Sequence, residues 1–266
     1  MFNTIKASAA ALPLVLALSP HLLTTTTPST ARCEDRSLEQ VINNIRKDKE
    51  LRVRWEKDEE NWRKLPARAW PEHQPGVEEE AELRKSVSIV CASPKSRTCK
   101  DVKFALGTCL VFNNLDVEEG LKMYEENAGN GCENSSTAAG IVMVEGFNNG
   151  KVDLEAGSAY IKAAAAAGSN QGIFELATLY YTGAAEPHIP EDEEKAIGLF
   201  EKAAKLGHTC SEFMLADMLI ERGVDFGRAA ELLYKAGEKG HRFSRQQILA
   251  ILDGRHAINK KDFLPS

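Results

Sequence analysis

Residues Asp192–His208 have the sequence DEEKAIGLFEKAAKLGH, and this stretch decides the fold. It begins with an Asp, has small residues four and twelve positions later, and has a Gly fifteen positions later. The chain contains this spacing four times, at Asp116/Gly120/Ala128/Gly131, Asp153/Gly157/Ala165/Gly168, Asp192/Ala196/Ala204/Gly207 and Asp225/Ala229/Gly237/Gly240. Successive Asp residues are 37, 39 and 33 positions apart, so the spacing within a copy is constant while the segments between copies vary. This pattern predicts repeated helical hairpins rather than a single enzyme core.

Each repeated Asp is predicted to begin a helix, because its carboxylate can accept hydrogen bonds from the unpaired N–H groups of the first turn. The residues four, eight and twelve positions later lie on one helix face and are small, large and small. The large residues are Tyr124, Ile161, Phe200 and Leu233. Small residues beside a large one let a second helix approach closely, and the final Gly supplies the left-handed residue that ends the helix. In the first copy, Glu119 follows Asp116 by three positions, which predicts a capping box.

A second helix is predicted after each terminating Gly, so that hairpins fill the chain from Cys99 to Gly254. The predicted second helices are Cys132–Glu145, Ser169–Thr182, His208–Arg222 and His241–Asp253. A further helix at Lys100–Phe112 is predicted to pair with the first Asp-headed helix. His208 and His241 follow terminating Gly residues at equivalent positions, which indicates a role at helix starts rather than in metal binding. The predicted fold class is therefore all-α.

The first 33 residues are predicted to be a targeting leader. No acidic residue precedes Glu34, and Lys6 is followed by an apolar run from Ala7 to Ser19. A run of 13 residues is too short to span a bilayer but suits the core of a signal peptide. A mitochondrial presequence is the alternative, because acid-free leaders rich in Ser and Thr also occur there. We expect no transmembrane segment in the mature chain.

Three further segments are expected outside the hairpins. Residues 34–64 are dense in charge and carry a narrow apolar stripe, which predicts a charged amphipathic helix. Residues 65–76 contain three Pro residues and are predicted to be a linker. Helix is predicted to resume near Val77 and to continue to about Cys91, and residues 255–266 are expected to form a C-terminal tail. Whether the charged helix docks on the hairpins is left open by the sequence.

Composition and motifs argue against several classes of function. The net charge is −6 and no dense Lys/Arg stripe occurs in the repeats, so nucleic acid is not expected as a partner. The chain has no C-x-x-C or H-E-x-x-H metal motif, no phosphate-binding loop and no G-x-S-x-G nucleophile motif. We therefore predict no metal, no cofactor, no catalytic residues and no enzyme activity. Plausible residues for lining a binding groove are Glu175, Tyr181, Glu212, Arg222 and Arg245.

The segments ELATLYYTG at Glu175–Gly183 and Asp192–His208 resemble the repeat unit of the Sel-one-like repeat family, relatives of the tetratricopeptide repeats. The unit reads A-x-x-x-L-G-x-x-Y-x-x-G, a loop, and then D-x-x-K-A-x-x-x-[YF]-x-x-A-A-x-x-G. The resemblance is strongest in the two central units, weaker at Asp116 and Asp225, and absent before about Val77. It implies a right-handed α-solenoid of about four to five hairpins over residues 77–254.

The resemblance also implies a function and one disulfide. Members of the family are adaptors that assemble complexes, so a protein-binding adaptor in an oxidising compartment is the favoured function. In the cysteine-rich branch, a bridge between cysteines eight residues apart staples the turn between two helices, which implies a Cys91–Cys99 disulfide. Cys109–Cys132 is a further conceivable pair, whereas Cys132 and Cys210 are expected to be half-buried thiols.

Alternatives remain open for function and location. The secretory pathway lumen or the exterior is the favoured location, and the mitochondrial intermembrane space is the alternative. There the chain would be an assembly factor for respiratory complexes, as one cysteine-rich branch of the family suggests. A penicillin-binding-like hydrolase that uses the repeat groove is a third and weaker hypothesis. Asn134-Ser-Ser136 is a glycosylation sequon that is usable only in the secretory pathway.

Overall fold

The computed structural model describes residues 36–64 and 79–253, which form twelve α-helices and no β-strand. The helices are α1 (Arg36–Arg46), α2 (Leu51–Lys64), α3 (Glu80–Val90), α4 (Arg97–Phe112), α5 (Val117–Gly129), α6 (Glu133–Glu145), α7 (Leu154–Ala166), α8 (Asn170–Thr182), α9 (Glu193–Lys205), α10 (Thr209–Glu221), α11 (Phe226–Glu238) and α12 (Arg242–Leu252). The predicted all-α fold class is confirmed for this part of the chain. The predicted leader (1–33), linker (65–76) and tail (255–266) lie outside the described residues.

The chain folds into two compact units, which are described separately. The described part of unit 1 is residues 79–196, which contain α3 to α8 and the beginning of α9. The described part of unit 2 is residues 36–64 and 197–253, which contain α1, α2 and the remainder of α9 to α12. Within the described residues, no helix is both long enough and apolar enough to cross a membrane.

Unit 1 consists of helices that pack on their sequence neighbours. Helix α4 packs on α3 and α5, and α7 packs on α6 and α8. The apolar interior includes Tyr124, Val142, Ile161 and Leu179, each at most 2% exposed. Helix α4 begins three residues earlier than predicted, because the Ser96 hydroxyl accepts a hydrogen bond from the Cys99 N–H (3.2 Å) and caps the helix there.

The charged segment 34–64 forms two helices in unit 2 rather than the single helix that the sequence predicts. Helix α1 ends at Arg46 and α2 begins at Leu51. Asp48 stabilises the turn between them, because its carboxylate accepts a hydrogen bond from the Glu50 N–H (3.1 Å). The break has a packing reason. It lets Leu51 (1% exposed) and Trp55 (2% exposed) reach the same apolar core as Ile42 and Ile45.

The two N-terminal helices dock on the last hairpin of the chain. Helix α1 packs on α11, and α2 packs on α12. Their buried residues share one core with Ala229, Leu233 and Ile248. An α-helical repeat normally buries its apolar face against the next repeat, and the last repeat needs a polar-faced cap instead. Helices α1 and α2 therefore cap the final hairpin, which settles the question that the sequence left open.

Candidate interaction surface

Each repeated Asp lies at the start of a helix and accepts a hydrogen bond from its first turn. The Asp Oδ1 atom accepts from the backbone N–H three residues later, with N···O distances of 2.9 Å at Asp116, 2.9 Å at Asp153, 3.0 Å at Asp192 and 3.1 Å at Asp225. Each carboxylate therefore satisfies a backbone donor of its own helix. The recurrence of the Asp residues reflects the scaffold and not a binding site.

The four terminating Gly residues all have left-handed backbone angles. The φ values are +82° at Gly131, +91° at Gly168, +89° at Gly207 and +97° at Gly240. A side chain would have room at these positions. A Cβ atom added at Gly168 or Gly240 would meet no atom within 4 Å, and one added at Gly207 would lie 3.9 Å from its nearest neighbour, Lys239 Nζ. The backbone conformation is the reason for Gly there, since residues with a Cβ atom adopt it at a cost.

The small-large-small face lies where helices cross. The large residues Tyr124, Ile161, Phe200 and Leu233 are at most 1% exposed. Helices α6 and α7 approach so closely that a Cβ atom at Gly140 would lie 2.5 Å from Ile161 Cγ1 and 2.8 Å from the Gly157 carbonyl oxygen. At the crossing of α4 and α5, a Cβ atom at Gly107 would lie 2.8 Å from Tyr124 Cε1.

The first small position, four residues after the Asp, is enclosed in every copy. Ala196 is 0% exposed and Ala229 is 1% exposed. The Gly residues at this position are buried as well, and a Cβ atom would lie 2.7 Å from Val111 Cγ2 at Gly120 and 2.8 Å from Val144 Cγ2 at Gly157. This position is therefore small because a neighbouring helix occupies the space that a side chain would need.

The second small position, twelve residues after the Asp, departs from the predicted equivalence of the two small residues. Ala165 is 5% exposed and Gly237 is buried, whereas Ala128 and Ala204 are only half-buried. Close helix approach therefore does not account for the small residues Ala128 and Ala204.

The feature that the four residues of the second small position share is a backbone hydrogen bond. The terminating Gly N–H donates to the carbonyl three residues earlier, with N···O distances of 2.8 Å at Ala128, 3.2 Å at Ala165, 2.9 Å at Ala204 and 3.0 Å at Gly237. This bond closes the turn that ends each helix and satisfies a carbonyl of the last turn. The second small position thus belongs to the helix-ending turn, and to the helix crossing only where it is buried.

Gly107 and Gly140 were missed by sequence reasoning, although a signal was present. They recur with Ala177 and Ala216 at intervals of 33, 37 and 39 residues, which is the hairpin period of the chain. Ala177 and Ala216 are each 0% exposed. The second helix of a hairpin thus carries its own small residue at the crossing, and this row of residues also belongs to the scaffold.

The predicted capping box at Asp116 does not form. The Glu119 carboxylate instead accepts hydrogen bonds from both terminal nitrogens of Arg84 on α3 (2.7 and 2.5 Å), and the Asp116 N–H donates to the Leu110 carbonyl. The hydrogen bonds from Arg84 hold the pKa of Glu119 below its usual value. The reason is that a guanidinium offers a charge-assisted bidentate contact, which is stronger than one backbone N–H.

Cys91 and Cys99 are joined by a disulfide, with Cα atoms 4.9 Å apart. The bridge connects the C-cap of α3 to the first turn of α4. Cys109, Cys132 and Cys210 are thiols, so the conceivable Cys109–Cys132 pair is not formed. Cys132 is buried and Cys210 is half-buried. Cys33 lies outside the described residues.

His208 and His241 are the N-cap residues of α10 and α12. In each, the ring Nδ1 accepts a hydrogen bond from the backbone N–H three residues later (3.3 Å), which requires a neutral ring. Burial lowers the pKa of both rings to about 4, and the charge of Lys239 contributes at His208. Ser169 is the cap at the equivalent position of α8. Both His residues therefore start helices.

We expect acid to weaken unit 2 through these two caps. Between about pH 6.5 and 4 the unfolded chain binds protons on both His residues while the folded chain does not, so the free energy of unfolding falls as pH falls. Each ring contributes at most about 3 kcal/mol. The measurement is urea unfolding from pH 7 to pH 4. A His208→Ser/His241→Ser variant keeps capping oxygens and should show a shallower pH dependence; equal slopes would contradict the assignment.

The five residues suggested for a binding groove have different environments. Glu212 is 4% exposed, and both its oxygens accept hydrogen bonds from Lys239 Nζ at 2.8 Å. Arg245 lies over the Trp55 ring, 5.5 Å from its centroid, and donates to the Gly237 carbonyl (2.7 Å). Glu212 and Arg245 are thus engaged inside unit 2, so their assignment to an open groove was wrong. Arg222 is exposed, and Tyr181 is half-buried.

Glu175 of unit 1 is a buried carboxylate rather than a surface residue. It is 9% exposed and accepts one hydrogen bond from the Gln171 amide (2.6 Å). Burial raises the pKa of Glu175 to about 7, the Gln171 hydrogen bond opposes this shift, and the charge of Glu145 adds to it. Burial also raises the pKa of Glu145, although part of its side chain reaches solvent. Unit 1 thus holds a carboxylate that is costly to ionise.

We expect Glu175→Gln to stabilise the protein at pH 8 by about 1–3 kcal/mol. The folded-state pKa lies above the unfolded value, so the stabilisation from this group is present below about pH 4.5 and is lost as pH rises towards 7. Gln keeps the oxygen that accepts from Gln171 and removes the charge. The measurement is urea unfolding at pH 8 and pH 5. The exposed Glu155→Gln should change stability by about 0.5 kcal/mol or less; no gain from Glu175→Gln at pH 8 would contradict the prediction.

Apolar side chains are exposed in the turns that lead into the Asp-capped helices. Leu115 (39% exposed) and Val152 (56% exposed) directly precede the Asp caps of unit 1. Phe112 and Phe147 lie at the same two turns, with ring centroids 6.3 Å apart, so these successive turns are neighbours. We name Phe112, Leu115, Phe147 and Val152 the turn-edge surface. In unit 2, Val224 precedes Asp225 and is 48% exposed.

The exposure of Leu115 and Val152 follows from the close approach of neighbouring helices at Gly120 and Gly157. An apolar residue before an N-cap usually packs on the side chain five positions later, forming a hydrophobic staple. Here that position holds Gly120 or Gly157, because the helix crossing excludes a side chain. Leu115 and Val152 therefore have no staple partner and face solvent. Sequence reasoning missed this surface because the turns were treated only as sites of length variation.

The described residues offer little for binding a small ligand. No group of His, Cys, Asp and Glu side chains among them is arranged to hold a metal ion. An open groove of about 320 Å³ lies between α1 and α11, and its lining is mostly polar, including Gln40, Asn44 and Arg228. Small-molecule sites are usually concave and mostly apolar. The turn-edge surface is therefore the better candidate for recognition.

The recurring residues of these helical hairpins cap the helices, end them or pack between them. A chain built in this way is an α-helical repeat protein. The family model of the Sel1 repeat matches residues 171–208 and 211–241, so this part of the chain consists of Sel1 repeats. The predicted resemblance to Sel-one-like repeats is thereby confirmed. Proteins with Sel1 repeats are protein-interaction adaptors. A search of curated protein sequences finds no significant match.

Two solved structures are similar to parts of this chain. A protective antigen of uropathogenic Escherichia coli strains, which displays an SLR fold, is 19% identical with a TM-score of 0.50, covering 81% of this chain and 43% of the antigen. A Sel1 repeat protein from Oxalobacter formigenes is 20% identical with a TM-score of 0.49, covering 66% of this chain and 49% of that protein. The chain thus spans less than half of either structure. The first similarity confirms the predicted α-solenoid fold class and carries no functional assignment.

Proposed function

We propose that the protein is a non-catalytic adaptor that binds other proteins through its repeats in an oxidising compartment. The observation that carries the proposal is the use of every recurring residue for capping, helix termination or packing. The scaffold is therefore separate from the exposed positions that vary between copies. Such a division is typical of repeat proteins, in which a constant framework presents a variable surface.

The turn-edge surface is the proposed contact on unit 1. Its exposed apolar residues, Leu115 and Val152, are followed within three positions by the exposed carboxylates Glu118 and Glu155. An apolar patch with an acidic rim fits a protein segment that combines apolar and basic side chains. The proposed partner is therefore a protein with such an amphipathic basic segment.

Affinity capture with matched variants tests this proposal. The doubly substituted Leu115→Ser/Val152→Ser protein should lose at least about tenfold in partner binding, because it loses its exposed apolar contacts. Val53→Ser is the control, because Val53 is 67% exposed on α2 of unit 2. The control should bind as the native protein does. Equal binding by all three proteins would rule out the turn-edge surface.

The acidic rim allows a second arm of the same test. Reversing two charges with Glu118→Lys/Glu155→Lys should weaken binding of a basic segment, and added salt should weaken native binding in the same direction. Partner binding that is unaffected by both changes would contradict the basic character of the partner. Circular dichroism of each variant checks that the helices are retained.

The proposed location is the secretory pathway lumen or the exterior. Support comes from the Cys91–Cys99 disulfide, since disulfides persist in oxidising compartments, and from the acid-free leader in the sequence. Asn134 of the sequon is exposed in the first turn of α6, whereas the Ser136 hydroxyl donates to the Tyr160 carbonyl (2.9 Å). A glycan on Asn134 would therefore project from the surface.

A glycosylation assay separates the two proposed compartments. Full-length protein expressed in animal cells should carry a glycosidase-sensitive mass that the Asn134→Gln variant lacks. A tagged protein that remains unglycosylated and co-localises with mitochondria would contradict the secretory location. That result would favour the intermembrane space and the respiratory-assembly role.

A further inference from the structure

Helix α3 is held only weakly by its own packing. None of its eleven residues is buried, and Ile89 is 66% exposed. A helix of this length is marginal in water without tertiary support. The position of α3 on α4 therefore depends on the specific links that tie it to the remainder of unit 1.

Among the described residues, two links tie α3 to other helices of unit 1, and they differ in strength. Arg84 pairs with Glu119 on α5, but the two side chains are 40% and 34% exposed, so solvent screens the pair. The other link is the covalent Cys91–Cys99 bridge at the C-terminal end of α3. Because the bridge limits how far the helix can separate from α4, it is the stronger of the two links.

A third cysteine lies on α4, the helix on which α3 packs. Cys109 on α4 is 0% exposed, and burial raises the pKa of its thiol. Helix α4, which carries this thiol, packs on both α3 and α5. The charges of Glu80, Glu79 and Arg84 also act on the thiol. Removing α3 would therefore take away one of the helices that pack on α4.

We propose that the Cys91–Cys99 disulfide is a redox-controlled clasp, whose reduction releases α3 from α4 and uncovers the Cys109 thiol. The inference concerns unit 1 alone and does not depend on the adaptor role. The release also frees the Glu119 carboxylate from Arg84, so one chemical step changes both the charge and the apolar surface at this end of unit 1.

The reductant required is a dithiol, either a small molecule or a protein. Its thiolate attacks the Cys91 sulfur, since Cys91 is half-buried while Cys99 is 0% exposed. A mixed disulfide forms, and Cys99 leaves as a thiolate in the first turn of α4, where helix N–H groups favour negative charge. The second thiolate of the dithiol then displaces Cys91. Two electrons and two protons pass to the protein, and the dithiol becomes a disulfide.

Thiol labelling of the full-length chain tests the clasp. After reduction with a non-thiol phosphine, the rate of maleimide labelling at Cys109, read by peptide mass spectrometry, should rise about 10- to 100-fold. Amide exchange in α3 should accelerate in parallel. The Cys91→Ser/Cys99→Ser variant should show the same fast labelling without reductant. Cys132, which is 8% exposed in the N-cap of α6, is the internal reference and should keep its rate.

Two outcomes would overturn the clasp. Unchanged Cys109 labelling after complete reduction would show that α3 stays in place without the bridge. Equal acceleration at Cys109 and Cys132, with loss of helical circular dichroism, would show that the bridge supports all of unit 1 instead. Because reduction is also performed on the native protein, a failure of the double variant to fold does not prevent the test.

Discussion

Replacing Trp55 with alanine is expected to lower the free energy of unfolding of unit 2 by about 3–5 kcal/mol. Trp55 is 2% exposed in the core that α1 and α2 share with α11 and α12. Its indole N–H donates to Glu238 (3.0 Å), and its ring contacts Tyr234 at a centroid distance of 6.1 Å. The substitution removes a large buried side chain and leaves a cavity beside Gly237, where a Cβ atom would lie only 2.9 Å from the indole ring.

Urea unfolding and amide exchange in α11 and α12 measure this effect. Val53→Ala on the same helix is the matched control, because Val53 is 67% exposed and its truncation should cost about 0.5 kcal/mol or less. If α1 and α2 cap the final hairpin, Trp55→Ala also speeds amide exchange in α12. Exchange that stays at the native rate in α12 would show that the N-terminal helices add nothing to the stability of that hairpin.

Gly140→Val is expected to destabilise unit 1 by about 3 kcal/mol or more. The first added atom, Cβ, would lie 2.5 Å from Ile161 Cγ1 and 2.8 Å from the Gly157 carbonyl oxygen. Ile161 is 1% exposed and the Gly157 oxygen belongs to a helix backbone, so neither can move away without separating α6 from α7. The cost is steric, and it exceeds any gain from removing a flexible Gly from a helix.

Gly198→Ala is the control for this steric argument. Gly198 lies inside α9, and a Cβ atom added there would meet no atom within 4 Å. The control should stabilise the protein by about 0.5–1 kcal/mol through helix propensity alone. Thermal and urea unfolding should move the two variants in opposite directions. A similar loss of stability in both would indicate that the helix crossing at Gly140 is not the cause.

The repeated positions were predictable because their roles are local. An Asp caps the helix that it begins, and a Gly ends the helix fifteen positions later, so spacing along the chain is sufficient to place both. The same applies to His208 and His241, which bond to N–H groups only three residues away. The capping box at Glu119 failed because a residue 35 positions earlier, Arg84, competes for the carboxylate. Local spacing contains no information about that competitor.

The degree of burial at the small positions was not predictable in the same way. Ala196 and Ala204 occupy the two small positions of one helix, yet Ala196 is fully buried and Ala204 is half-buried. Helix periodicity places both residues on one face, but it does not say how far along that face the neighbouring helix extends.

The candidate surface could be predicted only in part. The apolar residues before the Asp caps were visible in the sequence. Their exposure, however, depends on the close helix approach at Gly120 and Gly157, which excludes the side chains on which they would otherwise pack. Glu175 and Glu212 are of a residue type that is usually exposed, yet both are buried. Their burial depends on which helices pack over them, and a polar residue on a predicted helix does not report that packing.

By itself, the sequence determined the helical hairpins, the capping and terminating residues of their Asp-headed helices, and the resemblance of the repeats to a known family. Hydrogen-bonded caps and helix periodicity act within a few residues. Only the tertiary structure decided that α1 and α2 cap the final hairpin, that α3 packs on α4, and that Leu115 and Val152 face solvent. These features arise from contacts between residues far apart in the chain. Such contacts depend on how helices approach one another in space, which no single spacing along the sequence specifies.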